Sequence, residues 1–476
     1  SDDEVTVMKK QFTIFLLISS LISGCNTFDV ENPDSSALLQ SQEKLAVSYS
    51  VSSEDLADMI QYRVNSSQTK SDNETISYEV ISYGLEGTET LMYIVNYSSG
   101  RWEIISADKR TPVVLASGEG AFYQDDDSHG STLYLKMLAE SILELKQKET
   151  DLIDENVLLW AEATGESICL HDVATKAVVN YTYVLGSSAE TDLVDYVEPL
   201  LYTQWGQSGH NEMYNYYCPY QTDSIGVSIG VKAYVGCTVV AGAQVLHYLY
   251  KTLGANVYMP NEASCSGVVG NYSQEFSHSC NMYYIRDIPL NPTECDAMPH
   301  RIRYSRIFMA WLGNLIGVKY KNGGSSASTT SLKKAFDLYK INCDYLNSYD
   351  YNIAVECIMS DMPVIVTGFR EDNTVNPPVI KGHCWVMDGY RKIETQREIY
   401  CYRSTRELTP EEEDALTLSD CNFILNTTNT MREFNMNWGW SGDKDGWFLF
   451  SADDWDVKGS PYNQRMEMLY NFTKTE

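Results

Sequence analysis

Residues 236–251 read GCTVVAGAQVLHYLYK, a Gly-Cys pair leading into an uninterrupted run of small and apolar residues. Such a run predicts a helix that begins at or beside Cys237. Unpaired N–H groups at a helix N-terminus carry partial positive charge, which stabilises a thiolate and lowers the thiol pKa. Taken alone, the same pattern also suits a buried core cysteine. Further along, helical sequence recurs around 299–316 and at 330–340. A β-rich stretch follows, with MPVIVTGF, HCWVMDGY, FNMNWGW and GWFLF. Helices first and strands later, without βαβ alternation, predict an α+β fold rather than a parallel sheet.

Three other sites in this half carry polar groups suited to acyl transfer. His383 lies in KGHCWVMDGY on an alternating strand pattern, and the neighbouring Gly382 leaves room for another group to approach the imidazole. NWGWSGDKDGWFLF (437–450) reads as a hairpin in which Asn437 or Trp438 could orient and shield an imidazole. A cysteine peptidase needs such a third group to hold its base in the right tautomer. Gln207, in QWGQ, has an amide able to donate to a developing oxyanion beside the nucleophile's own N–H. The other histidines read as structural. His247 is most simply packed or exposed on the helix after Cys237, His129 and His171 lie in an N-terminal segment with no visible nucleophile, and His210, His278 and His300 have no motif around them.

In order, Gln207, GCTVVAGAQVLHY, GHCWVMDG and NWGWSGDKDGWF together resemble the streptopain family of papain-like cysteine peptidases. PLLYTQWGQ (199–207) with Cys218-Pro219 looks like the start of the mature enzymes of that group. MYIVNYSSGRWEIISADKRTPVVLASGEGAF (92–122) resembles their propeptide. The resemblance implies a papain-like α+β catalytic domain over 196–476 behind a small α+β inhibitory propeptide over 51–195, with cleavage between about 176 and 200. It implies that Cys237 is the nucleophile, His383 the base and later the acid, Gln207 an oxyanion donor, and Asn437 and Trp438 supports for the histidine. Gly324, Ser325 and Ser326, in GGSSASTTSL, and Trp440 would line the substrate cleft. The sequence departs from the family pattern in the long stretch 391–436, which holds an acidic EEEDA run, Cys401 and Cys421, and in Cys384-Trp385 directly after His383.

Before this region, SSEDLADMIQYRV (52–64) predicts a helix capped at Ser53. SYEVISYG, LMYIVNYS, RWEIISAD and TPVVLASG predict strands, with a tight turn at Ser99-Gly100, and LYLKMLAESILELKQK (133–148) predicts a helix. At the start, Lys9 and Lys10, the apolar run from Phe12 to Ile22 and Ser23-Gly24-Cys25 read as a secretory signal peptide, too short to span a membrane. The cysteine after small residues resembles a lipobox, so Cys25 is a lipidation candidate. The organisation expected is 1–24 signal peptide with extra residues, 25–50 lipid-anchored tether, and export to the bacterial envelope or surface.

Of 476 residues, 35 are Lys or Arg and 65 Asp or Glu, a formal charge of −30 that would repel phosphate backbones and argues against nucleic-acid binding. Setting Cys25 and Cys237 aside, the remaining cysteines of the 12 have no regular spacing and no CxxC pair, so neither a metal site nor any cofactor is expected. Cys401 with Cys421 and Cys265 with Cys280 are weak disulfide candidates. The partners expected are protein or peptide substrates, the chain's own propeptide as inhibitor, and a membrane through the lipid anchor. Competing readings are a catalytically silent surface-binding lipoprotein on the same fold, a Cys-dependent amidase or transpeptidase, and a disulfide-rich structural lipoprotein.

Overall fold

The computed structural model describes residues 7–8, 49–67, 77–124, 129–147, 181–258, 284–372, 379–406, 408–450 and 466–475, with shorter pieces at 156, 159–160, 163–164, 169–171, 262–269 and 272–279. Apart from residues 7–8, the expected signal segment lies outside the described residues, as do Cys25 and Cys280. In chain order the elements used below are α1 (Ser53–Ser67), β1 (Tyr78–Tyr83), β2 (Met92–Tyr97), β3 (Arg101–Ser106), β4 (Val114–Glu119), α2 (Gly130–Gln147) and β5 (Tyr181–Val197). They are followed by α3 (Cys237–Thr252), α4 (Ile302–Ile316), β6 (Ile341–Leu346), α5 (Tyr351–Met359), β7 (Val364–Asp372), β8 (Val379–Ser404), β9 (Phe423–Asn437), β10 (Gly446–Leu449) and β11 (Met466–Lys474). Among the described residues no helix is long and apolar enough to cross a membrane.

The fold is α+β, and one sheet runs through it in the order β1-β2-β3-β4-β10-β9-β8-β7-β11-β6. Side chains of a strand alternate between faces, and β8 shows what that alternation does here. Cys384 and Val386 enter the core built on α3 and α4, whereas Trp385 and Met387 enter the core shared with α2 and α5. Helix α3 is buried from Thr238 through Leu249 without a polar face, as a helix packed on several sides must be. The N-terminal strands join the same sheet where β4 pairs antiparallel with β10, Ala116 opposite Phe448 and Gly118 opposite Gly446. Tyr134 of α2 donates its hydroxyl to the Leu449 carbonyl at 2.8 Å, clamping the helix over that seam.

The expected strands form, with the tight turn between β2 and β3 closed by Gly100 N–H to the Tyr97 carbonyl. The cap of α1 is Ser52 rather than Ser53. Asp55 N–H donates to Ser52 Oγ and Ser52 N–H to Asp55 Oδ2, which leaves Ser53 as the first helical residue. The 391–436 stretch extends β8 and β9 into a long hairpin, and β5 pairs with β8 from Tyr390 to Ser404. The expected boundary at residue 195 therefore falls inside a strand. Cys401 and Cys421 are not bridged. Both are free thiols, each turned to a carbonyl of its own segment, Ile399 O at 3.7 Å and Phe423 O at 3.3 Å.

The ISADKR turn at 105–110 is held by a buried ion pair. Arg110 Nε and Nη2 donate to the two oxygens of Asp108 at 2.9 and 2.7 Å, while Nη1 reaches the Leu145 carbonyl in the last turn of α2. Removing one partner of a buried pair strands the other charge, at a cost of about 3–5 kcal/mol. Asp108→Ala should therefore lower the urea midpoint sharply. A double Asp108→Ala, Arg110→Met variant should recover part of the loss, and a midpoint unchanged in Asp108→Ala would contradict this account.

Candidate active site

Cys237 is the first residue of α3, and Gly236 before it has φ of 102°, a left-handed conformation strained for any residue with a side chain. A Cβ there would also lie 3.3 Å from the Ser325 carbonyl. This turn delivers the half-buried Cys237 thiol to the helix N-terminus. Burial pushes the thiol up, but its charged and hydrogen-bonding neighbours outweigh it. His383 acts by its charge and a side-chain hydrogen bond, and the N–H groups of Cys384 and Thr238 also point at the sulfur, so its pKa falls below the ordinary thiol value.

The imidazole is held on its other side. His383 Nε2 lies 2.9 Å from the Trp438 carbonyl. A carbonyl only accepts, so Nε2 carries the proton and Nδ1 is left for the thiol. The His383 ring stacks on Trp385 with centroids 6.4 Å apart and 11° between planes, and Trp438 covers it at 6.3 Å. Trp438 is itself fixed through its N–H, which donates to Asp445 Oδ1 at 2.8 Å.

The other expected residues reach this pair through intermediaries. Asn437 Oδ1 accepts from Gln244 Nε2 and Gly439 N–H, and its amide donates to the Thr203 carbonyl. It thus shapes the backbone that presents the Trp438 carbonyl. Gln207 is buried, and its carbonyl accepts the Val235 N–H two residues before Cys237. Ser325 backs the Gly236 turn, within a short hairpin that pairs Gly324 with Lys321 and Ser326 with Lys319. Trp440 bridges to Gly206 by backbone pairing.

Sequence reasoning missed His129 and Gly130. A Cβ on Gly130 would lie 2.7 Å from His383 Nε2 and 2.6 Å from Trp438 Cε3, so the start of α2 sits directly on the imidazole. His383 still hydrogen-bonds the thiol, so it is covered without being detached. His129 is buried and stacks on Trp440 at 5.3 Å and 16°. The helix expected over 133–148 starts three residues earlier, at Gly130, so the sequence held no signal for this contact.

A model of the peptidase C10 family matches residues 205–448, from Trp205 to Phe448 and across both Cys237 and His383. The chain belongs to the peptidase C10 family. It is a cysteine peptidase. Streptopain from Streptococcus pyogenes is 20% identical over 395 residues, covering 80% of this chain and 78% of streptopain, and the same protein from a serotype M3 strain matches equally. Among solved structures, a fragment of Prevotella intermedia prointerpain A is 18% identical and covers 83% of this chain and 98% of its own, with a TM-score of 0.46. Active interpain A from the same organism, also 18% identical, covers 58% of this peptidase and 95% of its own chain at a TM-score of 0.37.

The folded peptidase carries a pH dependence at His129. Burial, then the charges of Lys444 and His383, hold its pKa down to about 2. Asp443 Oδ2, 3.6 Å from Nε2, is the facing anion, and Ser131 Oγ lies 2.6 Å from Nδ1. Released into water the ring returns to about 6.5. The contribution of His129 to stability is therefore fully present above about pH 6.5 and is lost as pH falls toward 2, by up to about 1.4 kcal/mol per unit. The urea midpoint should drop between about pH 7.5 and 4.5, and His129→Asn, neutral throughout, should drop less. Equal drops would remove His129 from the linkage.

Proposed function

We propose that this peptidase is an exported endopeptidase made as a zymogen, with Cys237 as nucleophile and His383 as general base. The observation that carries the reading is the His383 imidazole hydrogen-bonded to a half-buried thiol at a helix N-terminus. The thiolate attacks the scissile carbonyl, and the oxyanion is received by the Cys237 N–H with the Gln207 amide. The imidazolium gives its proton to the departing amine, leaving an acyl-enzyme. His383 then takes a proton from water, the hydroxyl adds to the thioester, and the thiolate leaves. Trp438 holds the tautomer through its carbonyl, with Asn437 behind it. Gly324, Ser325, Ser326 and Trp440 are proposed to line the cleft.

On this reading residues 51–195 are the inhibitory propeptide and 196–476 the catalytic domain. The contact of Gly130 with the His383 ring supports it, because a helix seated on the base leaves no place for a substrate amide. Export, with a lipid anchor at Cys25, rests on the sequence of residues 8–25 alone.

An epoxysuccinyl peptide that alkylates papain-type thiolates tests the dyad. It should label Cys237 mainly after limited proteolysis N-terminal to Glu198, and His383→Ala should lower kcat/KM by roughly 10⁴-fold. A folded, cleaved protein that takes up no label would end the reading. The propeptide is tested separately by Gly130→Val in the uncut chain. The added side chain has no room over His383, so labelling should rise toward that of the cleaved enzyme. Unchanged labelling would mean that α2 does not guard the site.

A further inference from the structure

Cys384 occupies the position after His383, and its side chain turns to the face of β8 opposite the core entered by Trp385. That places it in the buried cluster of α3, with Cys237 packed against the same cluster. The Cys384 N–H hydrogen-bonds the Cys237 thiol. Thr238 serves both sulfurs, its N–H on Cys237 and its side chain on Cys384. Thr367, the cross-strand neighbour of Cys384, hydrogen-bonds the Cys384 thiol as well. A second thiol thus sits within one residue's contacts of the nucleophile, and acyl transfer has no use for it.

We propose that Cys384 is a resolving thiol, forming a reversible disulfide with Cys237 when hydrogen peroxide or a related hydroperoxide reaches the site. The inference rests on Cys237 being the reactive thiolate. The thiolate attacks the peroxide O–O bond, the sulfur becomes a sulfenic acid, and hydroxide leaves to be protonated to water. The Cys384 sulfur then attacks the sulfenic sulfur. An S–S bond forms, the S–O bond breaks, and the Cys384 proton goes to the departing hydroxide as a second water. The two sulfurs together lose two electrons, and one peroxide is reduced to two waters. An external dithiol reverses the bond by exchange. Burial, reinforced by the Cys237 charge, holds the Cys384 thiol well above its ordinary pKa. Cys384 therefore stays protonated and inert while Cys237 is a thiolate, and the second of these restraints vanishes once Cys237 is the neutral sulfenic acid. Without the resolving step, continued oxidation leads to sulfinic acid, which dithiols do not reverse.

The test uses full-length protein treated with hydrogen peroxide, alkylated, and digested without reductant for mass spectrometry. A peptide joining the Cys237 and Cys384 segments, lighter by two hydrogens and reopened by dithiothreitol, is expected. Cys384→Ala and Cys384→Ser should instead accumulate Cys237 sulfinic acid, several-fold more than wild type. Equal sulfinic acid in all three proteins with no joined peptide, or Cys237 joined to a different cysteine, would overturn the proposal. Epoxide labelling of untreated, cleaved protein separates the two readings. Labelling without the joined peptide sinks the disulfide alone, and the joined peptide without labelling keeps the disulfide and sinks the nucleophile.

Discussion

The His383 imidazole is held between the Trp438 carbonyl, which meets Nε2 at 2.9 Å, and the Cys237 thiol, and the elements around it serve that arrangement. A carbonyl makes a fixed support, because it neither titrates nor rotates independently of its backbone. Its position is set by the chain on either side. Asn437 is tied to Gln244 of α3 and to the Thr203 carbonyl, and Asp445 receives the Trp438 N–H. The helix that presents the thiol and the strand end that presents the carbonyl are thus joined by the Gln244–Asn437 hydrogen bond at 2.9 Å. That link ties the start of the Trp438 turn directly to α3.

The same sheet that carries His383 also carries the N-terminal strands, since β4 pairs with β10. This geometry makes the covering helix part of the catalytic core's continuation rather than a loosely laid flap. Helix α2 has buried side chains along most of its length and shares a core with Trp385, Trp438 and Phe448. Burying each large apolar side chain is worth about 1.5–3 kcal/mol, so uncovering His383 exposes a substantial apolar face. A residue larger than glycine at position 130 meets the imidazole and the Trp438 ring, both packed in place, so the helix start must lift away from them.

What could be read in the residues follows from the range of the interactions involved. Cys237 at a helix start, the strand bearing His383 and the four N-terminal strands are local patterns, and periodicity exposes them. Asn437 and Trp438 were visible as a place but not as a mechanism. The group that meets the imidazole is a main-chain oxygen, and side-chain identity says nothing about where a carbonyl points. His129 was dismissed for lack of a nearby nucleophile, and the partner it lacked in sequence is supplied by tertiary packing against Trp440. The Ser52 cap was misjudged by one residue because adjacent serines offer the same hydroxyl. The Cys401–Cys421 pair failed because neighbourhood in a hairpin does not orient two thiols toward each other.

Strand β5 bears on how the proposed propeptide leaves. It pairs with β8 over most of its length, and the 391–436 extension supplies the strand it pairs with. Cutting the chain near its end removes no hydrogen bond and no buried surface. It only converts an intramolecular contact, with an effective concentration around the millimolar range for a short connection, into one that dilution can dissolve. The β4–β10 seam and the α2 core must still separate after the cut. Acid weakens that docking through His129, whose ring is denied its proton only while it remains buried and faced by Lys444 and His383. Cleavage and acidification thus act on different terms of one equilibrium, the first on chain connectivity and the second on the contact itself.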